Sequence, residues 1–193
     1  MIKDFDLLQR ANNDYTTIDL EHAEELAYRE LIDSIRYISL GDECGVMGNI
    51  ANIITYKGRF YIQEEQFDRV FIYDDTGRCL KKIDNKGRGP GEYLRIESID
   101  INTEKEELML VDGMSDKLFF YDLDGNFKSI HSIRYFQTEN TLCLRDSVFL
   151  HISAPSQNFG NDGLYGYALV LSKGNENFLK GYRYLPLQVG YKG

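Results

Sequence analysis

An internal repeat constrains this chain more than any other feature. Shifted by 48 residues against itself, the sequence aligns 51–84 with 99–132. Identical residues then fall at Ile53/Ile101, Thr55/Thr103, Lys57/Lys105, Asp68/Asp116, Phe71/Phe119, Tyr73/Tyr121, Asp74/Asp122 and Gly77/Gly125. Conservative pairs such as Phe60/Leu108, Ile62/Leu110 and Val70/Leu118 fill the gaps. A third copy is degenerate. Val148 to Ile152 takes the second-strand place, Tyr167 to Val170 the third and Gly174-Asn175 the turn, with Ser153 to Leu164 inserted. Each copy reads as four short strands, in the first about Asn49–Tyr56, Arg59–Glu64, Arg69–Asp74 and Arg78–Asp84. The turns at 75–77 and 124–125 end in Gly, which supplies the positive φ a tight hairpin requires. Four strands in a repeat of roughly 40–50 residues define a β-propeller blade. The expected blades are 49–84, 96–134 and 136–184, within a partial propeller at 35–193.

The segment ahead of the repeats, 1–34, reads as an arm and one helix. Leu20, Ala23, Leu26, Ala27, Leu31, Ile32 and Ile35 recur at helical spacing, and Asp19 is a plausible N-cap. The expected fold is therefore all-β, about three four-stranded blades with one N-terminal amphipathic helix. Ile35 to Leu40 reads as a short strand and Gly41 to Gly48 as a loop.

Net charge is −9, from 31 acidic and 22 basic residues, which argues against nucleic-acid binding. No apolar run is long enough for a membrane helix, and Met1 to Arg10 lacks a signal-peptide apolar core. Cys44, Cys79 and Cys143 are odd in number, far apart and without CxxC spacing, so free thiols are expected rather than a disulfide or zinc site.

Gly87-Arg88-Gly89-Pro90-Gly91-Glu92-Tyr93 follows Ile72 to Ile83 and precedes Ile96 to Ile101. With the run Ile32 to Asp42, it resembles the NHL-like six-bladed β-propeller proteins of Bacteroidetes, over roughly residues 30–190. Members of that family are about twice this length. The resemblance implies an N-terminal half, in which Ile35–Leu40 would close the ring against a last blade. It also implies a fragment or an assembly of chains, with self-association through open propeller edges. The parent protein is expected in the periplasm or at the cell surface.

Loops between strands two and three, and between blades, share one face of a propeller. Arg88, Glu92, Tyr93, Asp112, His151 and Asn158 are the candidate ligand-face residues there. Each has a structural alternative. The Gly-rich connector could cradle an anion, or simply permit a tight crossing over a packed Tyr93. Asp68 and Asp116 recur, as do Asp74 and Asp122, which favours loop and turn capping over a carboxylate ring. The run Asp122 to Asn126 fails as a calcium loop, because Phe127 and Ile133 stand where Gly and Glu are required. His22, His131 and His151 show no metal-ligand spacing, and no nucleophile motif occurs.

These features favour a non-catalytic module with no cofactor that binds a glycan, a peptide or a surface protein. The alternative is a metal-dependent six-bladed hydrolase or lyase, of lactonase type. That class needs inward ligands on the innermost strands, where this chain offers Asn52, Glu97 and Asp100 but no His. A sensor-domain piece is a third class that these residues leave untested.

Overall fold

The computed structural model describes residues 32–133, 140–152, 167–174 and 177–183. They form three separate four-stranded antiparallel sheets, each in simple up-and-down order. The first comprises β1 (Ile50–Tyr56), β2 (Arg59–Glu64), β3 (Arg69–Asp74) and β4 (Cys79–Ile83). The second comprises β5 (Ser98–Asn102), β6 (Glu107–Asp112), β7 (Lys117–Asp122) and β8 (Phe127–Ser132). The third comprises β9 (Asn140–Cys143), β10 (Val148–Ile152), β11 (Tyr167–Lys173) and β12 (Asn177–Arg183), with a 3-10 turn at Arg145–Ser147. These are propeller blades. The first strands lie side by side, β1 next to β5 and β5 next to β9, as innermost strands do around a central axis.

The middle strands are buried on both faces, so Tyr61-Ile62-Gln63 and Val70-Phe71-Ile72-Tyr73 read as continuous rather than alternating runs. Alternate residues serve different neighbours. Tyr61, Val70, Ile72 and Ile83 of blade 1 pack against Ile101, Leu108, Leu110, Phe119 and Tyr121 of blade 2. Met109, Val111, Leu118 and Phe120, on the other side of blade 2, pack against Phe149 and Val170 of blade 3. Each fully buried side chain of this size contributes about 1.5–3 kcal/mol. The blades are therefore held together mainly by their side-chain faces.

The β3–β4 and β7–β8 turns close in the same way. Asp74 accepts the amides of Thr76 (3.0 Å) and Arg78 (3.1 Å), and the Thr76 hydroxyl donates to it at 2.6 Å. Asp122 accepts the amides of Asp124 and Asn126. Gly77 and Gly125 hold φ of 88° and 79°. The Thr76 hydroxyl and these amides pull the Asp74 carboxyl down to about 2. Asp74 and Asp122 are thus turn caps.

Three expectations need correction. Cys44 and Cys79 are not free thiols: they form a disulfide across 35 residues, with Cα atoms 6.0 Å apart. Their spacing carries no motif, and only the fold brings them together. Ile35–Leu40 joins no sheet. It runs extended beside the β3–β4 turn, where Arg36 donates to the Asp75 carbonyl at 2.8 Å and Gly41 N–H to the Gly77 carbonyl at 2.7 Å. Residues 32–35 are not helical, and the rest of the expected helix, with Asp19 and His22, lies outside the described residues. The described first strand of blade 3 begins at Asn140, and the expected start at Phe136 lies outside the described residues.

The disulfide fastens the leading segment over the outer side of blade 1. There Cys44 and Met47 pack on Ile62, Phe71 and Tyr73, and the Tyr73 hydroxyl donates to the Gly41 carbonyl. Closing a loop of this length restricts the unfolded chain. Replacing both cysteines by alanine is expected to lower the unfolding free energy by about 3–4 kcal/mol in denaturant titration. A loss under about 1 kcal/mol would mean the segment is held by its other contacts alone.

Candidate functional site

Two buried carboxylates and one tyrosine organise the loop face between blades 1 and 2. Asp68 accepts the Ile96 amide at 3.1 Å, pairs with Lys86 and stands at positive φ (56°) just before β3. Asp112 accepts the amides of Leu94 (2.7 Å), Met114 (3.1 Å) and Ser115 (3.1 Å), and the Ser115 hydroxyl. Glu64, at the matching end of β2, accepts the amides of Gln66 and Phe67. These acids lock the β2–β3 and β6–β7 loops, and Asp68 and Asp112 also fasten the connector between the blades.

Tyr93 is wholly buried under that connector. Its hydroxyl donates to the Asp68 carbonyl at 2.8 Å and accepts the Asn85 amide at 3.1 Å, and its ring meets Phe119 edge-on. Burial drives its pKa far above the ordinary phenol value. The Gly89 amide, which an anion would need, donates at 2.7 Å to the Glu92 carboxylate. A Cβ on Gly87 would lie 1.9 Å from that carboxylate, so a larger residue there would displace the Glu92 side chain from its cap. The connector is a self-capped loop with Arg88 exposed on it.

Beside it opens a cleft of ≈ 380 Å³ lined by Asn49, Gln63, Glu65, Gln66, Arg95 and Glu97, among others. Gln63 is buried and donates to the carbonyls of Ile96 (3.0 Å) and Glu97 (3.3 Å), which fixes the wall between the two blades. Arg95 pairs with Glu97 at 3.3 Å. A break in the β1–β2 register between Ile50 and Asn52 brings Ala51 to the rim. Sequence reasoning missed this cleft. Its residues carry no motif, and only blade stacking brings 49–51 beside 63–68 and 95–97.

The sequence-derived candidates divide accordingly. Arg88 is exposed, Glu92 caps the connector, and Tyr93 and Asp112 are buried anchors. Asn158 lies outside the described residues. His151 is buried rather than presented on the loop face. Its Nδ1 lies 3.0 Å from the Thr141 hydroxyl and its Nε2 2.8 Å from the Ser172 hydroxyl, joining β9, β10 and β11. Asp100 of β5 accepts the Cys143 amide of β9 at 2.5 Å. Burial raises the Asp100 carboxyl and pushes the Cys143 thiol up to about 12, which leaves that thiol protonated and unreactive. Among the described residues, no three of His, Cys, Asp and Glu converge to hold a metal. No helix among them is long and apolar enough to cross a membrane.

With this geometry, comparison with known proteins is informative. The chain belongs to a family defined so far only as a domain of unknown function, DUF4934, whose model matches residues 15–186. No curated protein matches the sequence. Among solved structures it is similar to a Bacteroides fragilis protein provisionally described as exported. That match has TM-score 0.69 and 19% identity, over 82% of this chain and 44% of that one. It is also similar to U3-55K, with TM-score 0.50 and 10% identity, over 71% and 40% of the two chains. A DUF4221 family member from Bacteroides vulgatus matches with TM-score 0.45 and 9% identity, over 72% and 42%. The chain thus spans less than half the length of these structures, and the likeness concerns the fold.

Burial also holds the His151 pKa down to about 4, against 6.5 for an ordinary imidazole. Below pH 6.5 the unfolded chain takes up a proton that the folded chain refuses until about pH 4. Stability is therefore full above pH 6.5 and falls as pH drops through this window, by about 3 kcal/mol in total. Urea titrations across pH 7 to 4 on wild type and His151→Gln should show this slope in the wild type and a flatter one in the variant. Parallel slopes would rule out His151 as its source.

Proposed function

We propose that this chain is a non-catalytic binding module of an exported propeller, and that its ligand site is the polar cleft between blades 1 and 2. The observation that carries this reading is the cleft itself. It has a fixed floor and wall, in Gln63, Asp68 and Ile96, and a rim of amide, carboxylate and guanidinium groups. Such a rim suits a hydrophilic ligand that offers both donors and acceptors, as a glycan or a peptide backbone does. Anchored loops keep the ordering cost of binding low.

The extracytoplasmic setting is supported by the Cys44–Cys79 disulfide, a bond that persists in oxidising compartments. The fold likeness to a protein described as exported agrees with it. We further assign the complete ring to the six-bladed, NHL-like class, on the strength of the connector at 87–93 and the blade repeat. Of the original candidates, Arg88 is exposed on the connector and remains free to meet a ligand there.

Calorimetric titration of soluble oligosaccharides and peptides against the chain tests the cleft. A ligand that binds the wild type should lose affinity by about tenfold in Arg95→Ala and in Gln66→Ala. Both variants should keep the wild-type melting temperature without ligand. Undiminished binding in both variants would remove the cleft as the site. Turnover of a lactone that depends on an added divalent metal would replace the binding reading with the lactonase-like one.

A further inference from the structure

Three side chains of the cleft between blades 1 and 2 keep hydrogen-bonding capacity that the described residues do not use. Gln63 on β2 is only 2% exposed. Its amide nitrogen donates to two main-chain oxygens, of Ile96 at 3.0 Å and of Glu97 at 3.3 Å. Its Oε1 accepts from no group among the described residues and is not sealed in the interior, so it opens on the cleft that Gln63 lines. A nearly buried amide oxygen in this state calls for a donor from outside the chain. Two residues on, exposed Glu65 lines the same cleft and pairs with no cation among the described residues. Buried Glu64 beside it is met by the amides of Gln66 and Phe67 rather than by a cation. The bases of this region are already committed: Lys86 to Asp68, Arg69 to Asp84 at 3.0 Å, and Arg95, through Nε, to Glu97 at 3.3 Å. Arg88 does not line the cleft. What remains open on the base side is the pair of Nη groups of Arg95, which meet no acceptor among the described residues.

We propose, resting on the reading of this cleft as the ligand site, that its ligand is a peptide segment bearing a lysine or an arginine. The protonated head of that side chain donates to Gln63 Oε1 and to the Glu65 carboxylate. The Nη groups of Arg95 donate to a main-chain carbonyl of the same peptide. A cation is favoured over an anion because the carboxylates are in excess once the pairs are formed. Lys86 balances Asp68 and Arg95 balances Glu97, whereas Glu64 and Glu65 have no such partner. Hydrogen bonds between charged groups are roughly twice as strong as neutral ones. The net charge of −9 also draws a basic partner toward the chain. A peptide is favoured over a sugar because the cleft lining holds no aromatic ring on which a sugar face could stack. The open donors of Arg95 suit a peptide carbonyl.

Nuclear magnetic resonance titration of the whole chain tests this, with the Gln63 side-chain amide as the reporter. The probes are end-blocked glycine peptides with lysine, arginine or norleucine at the centre, and a glucosamine oligomer. The lysine and arginine peptides should shift the Gln63 amide, less so as salt is raised, and the norleucine peptide should not. Glu65→Gln should weaken binding of the basic peptides by about three- to tenfold, with an unchanged melting temperature. Glu65→Lys should abolish it. Equal binding of the norleucine peptide at the Gln63 amide would overturn the basic-peptide assignment and leave the cleft as the ligand site. Binding of the glucosamine oligomer there in place of the peptides would do the same. Basic peptides that bind without moving the Gln63 amide, and equally well to Glu65→Gln, would overturn the cleft reading together with this one. Absence of binding by both basic peptides at millimolar concentration would overturn the assignment alone, since sugar titration still decides on the cleft.

Discussion

Each blade is a thin sheet with two apolar faces, and neither face can be left to water. This requirement organises everything else in the molecule. Face-to-face stacking removes Tyr61, Val70 and Ile72 from solvent on one side of blade 1. The same demand on the other side is met by the chain itself, with Cys44 and Met47 laid on Ile62, Phe71 and Tyr73. Antiparallel hydrogen bonding holds strands within a blade. Little of it passes between blades, so the relative placement of blades depends on side chains.

Side-chain packing alone would tolerate sliding. Polar anchors remove that freedom at the loop face. Asp68 ties the connector to the loop before β3, and Asp112 ties it to the loop after β6. Gln63 reaches from β2 to the carbonyls of Ile96 and Glu97 in the next blade. Hydrogen bonds to charged acceptors contribute about 1.5–3 kcal/mol each, more than neutral ones. The apolar faces thus supply most of the cohesion, and the buried acids supply register. A cleft framed by such anchors is pre-shaped for whatever enters it.

Much of this fold was legible in the sequence because a repeat displays its strand pattern twice. β2 and β3 fall where the Arg59–Glu64 and Arg69–Asp74 runs put them. The degenerate copy was placed more loosely, since its insertion breaks the register at its middle. The disulfide escaped because pairing depends on a spatial approach across 35 residues, and no local spacing encodes it. His151 was put on the loop face because strand polarity alone does not tell which blade a side chain faces. Thr141 and Ser172, which enclose it, are distant in sequence and unremarkable until the strands align.

The repeat also separates structure from function by position. A residue required to build a blade recurs in the next one, as Asp68 does in Asp116, Asp74 in Asp122, and Glu64 in Asp112. A residue required for a ligand has no reason to recur. The cleft rim behaves in the second way: Glu65 and Gln66 correspond to Gly113 and Met114 in the following blade. Both replacements lose the polar side chain altogether. The polar rim is therefore dispensable for making a blade. On the proposed reading, what it contributes is contact with a ligand rather than with this chain's own core.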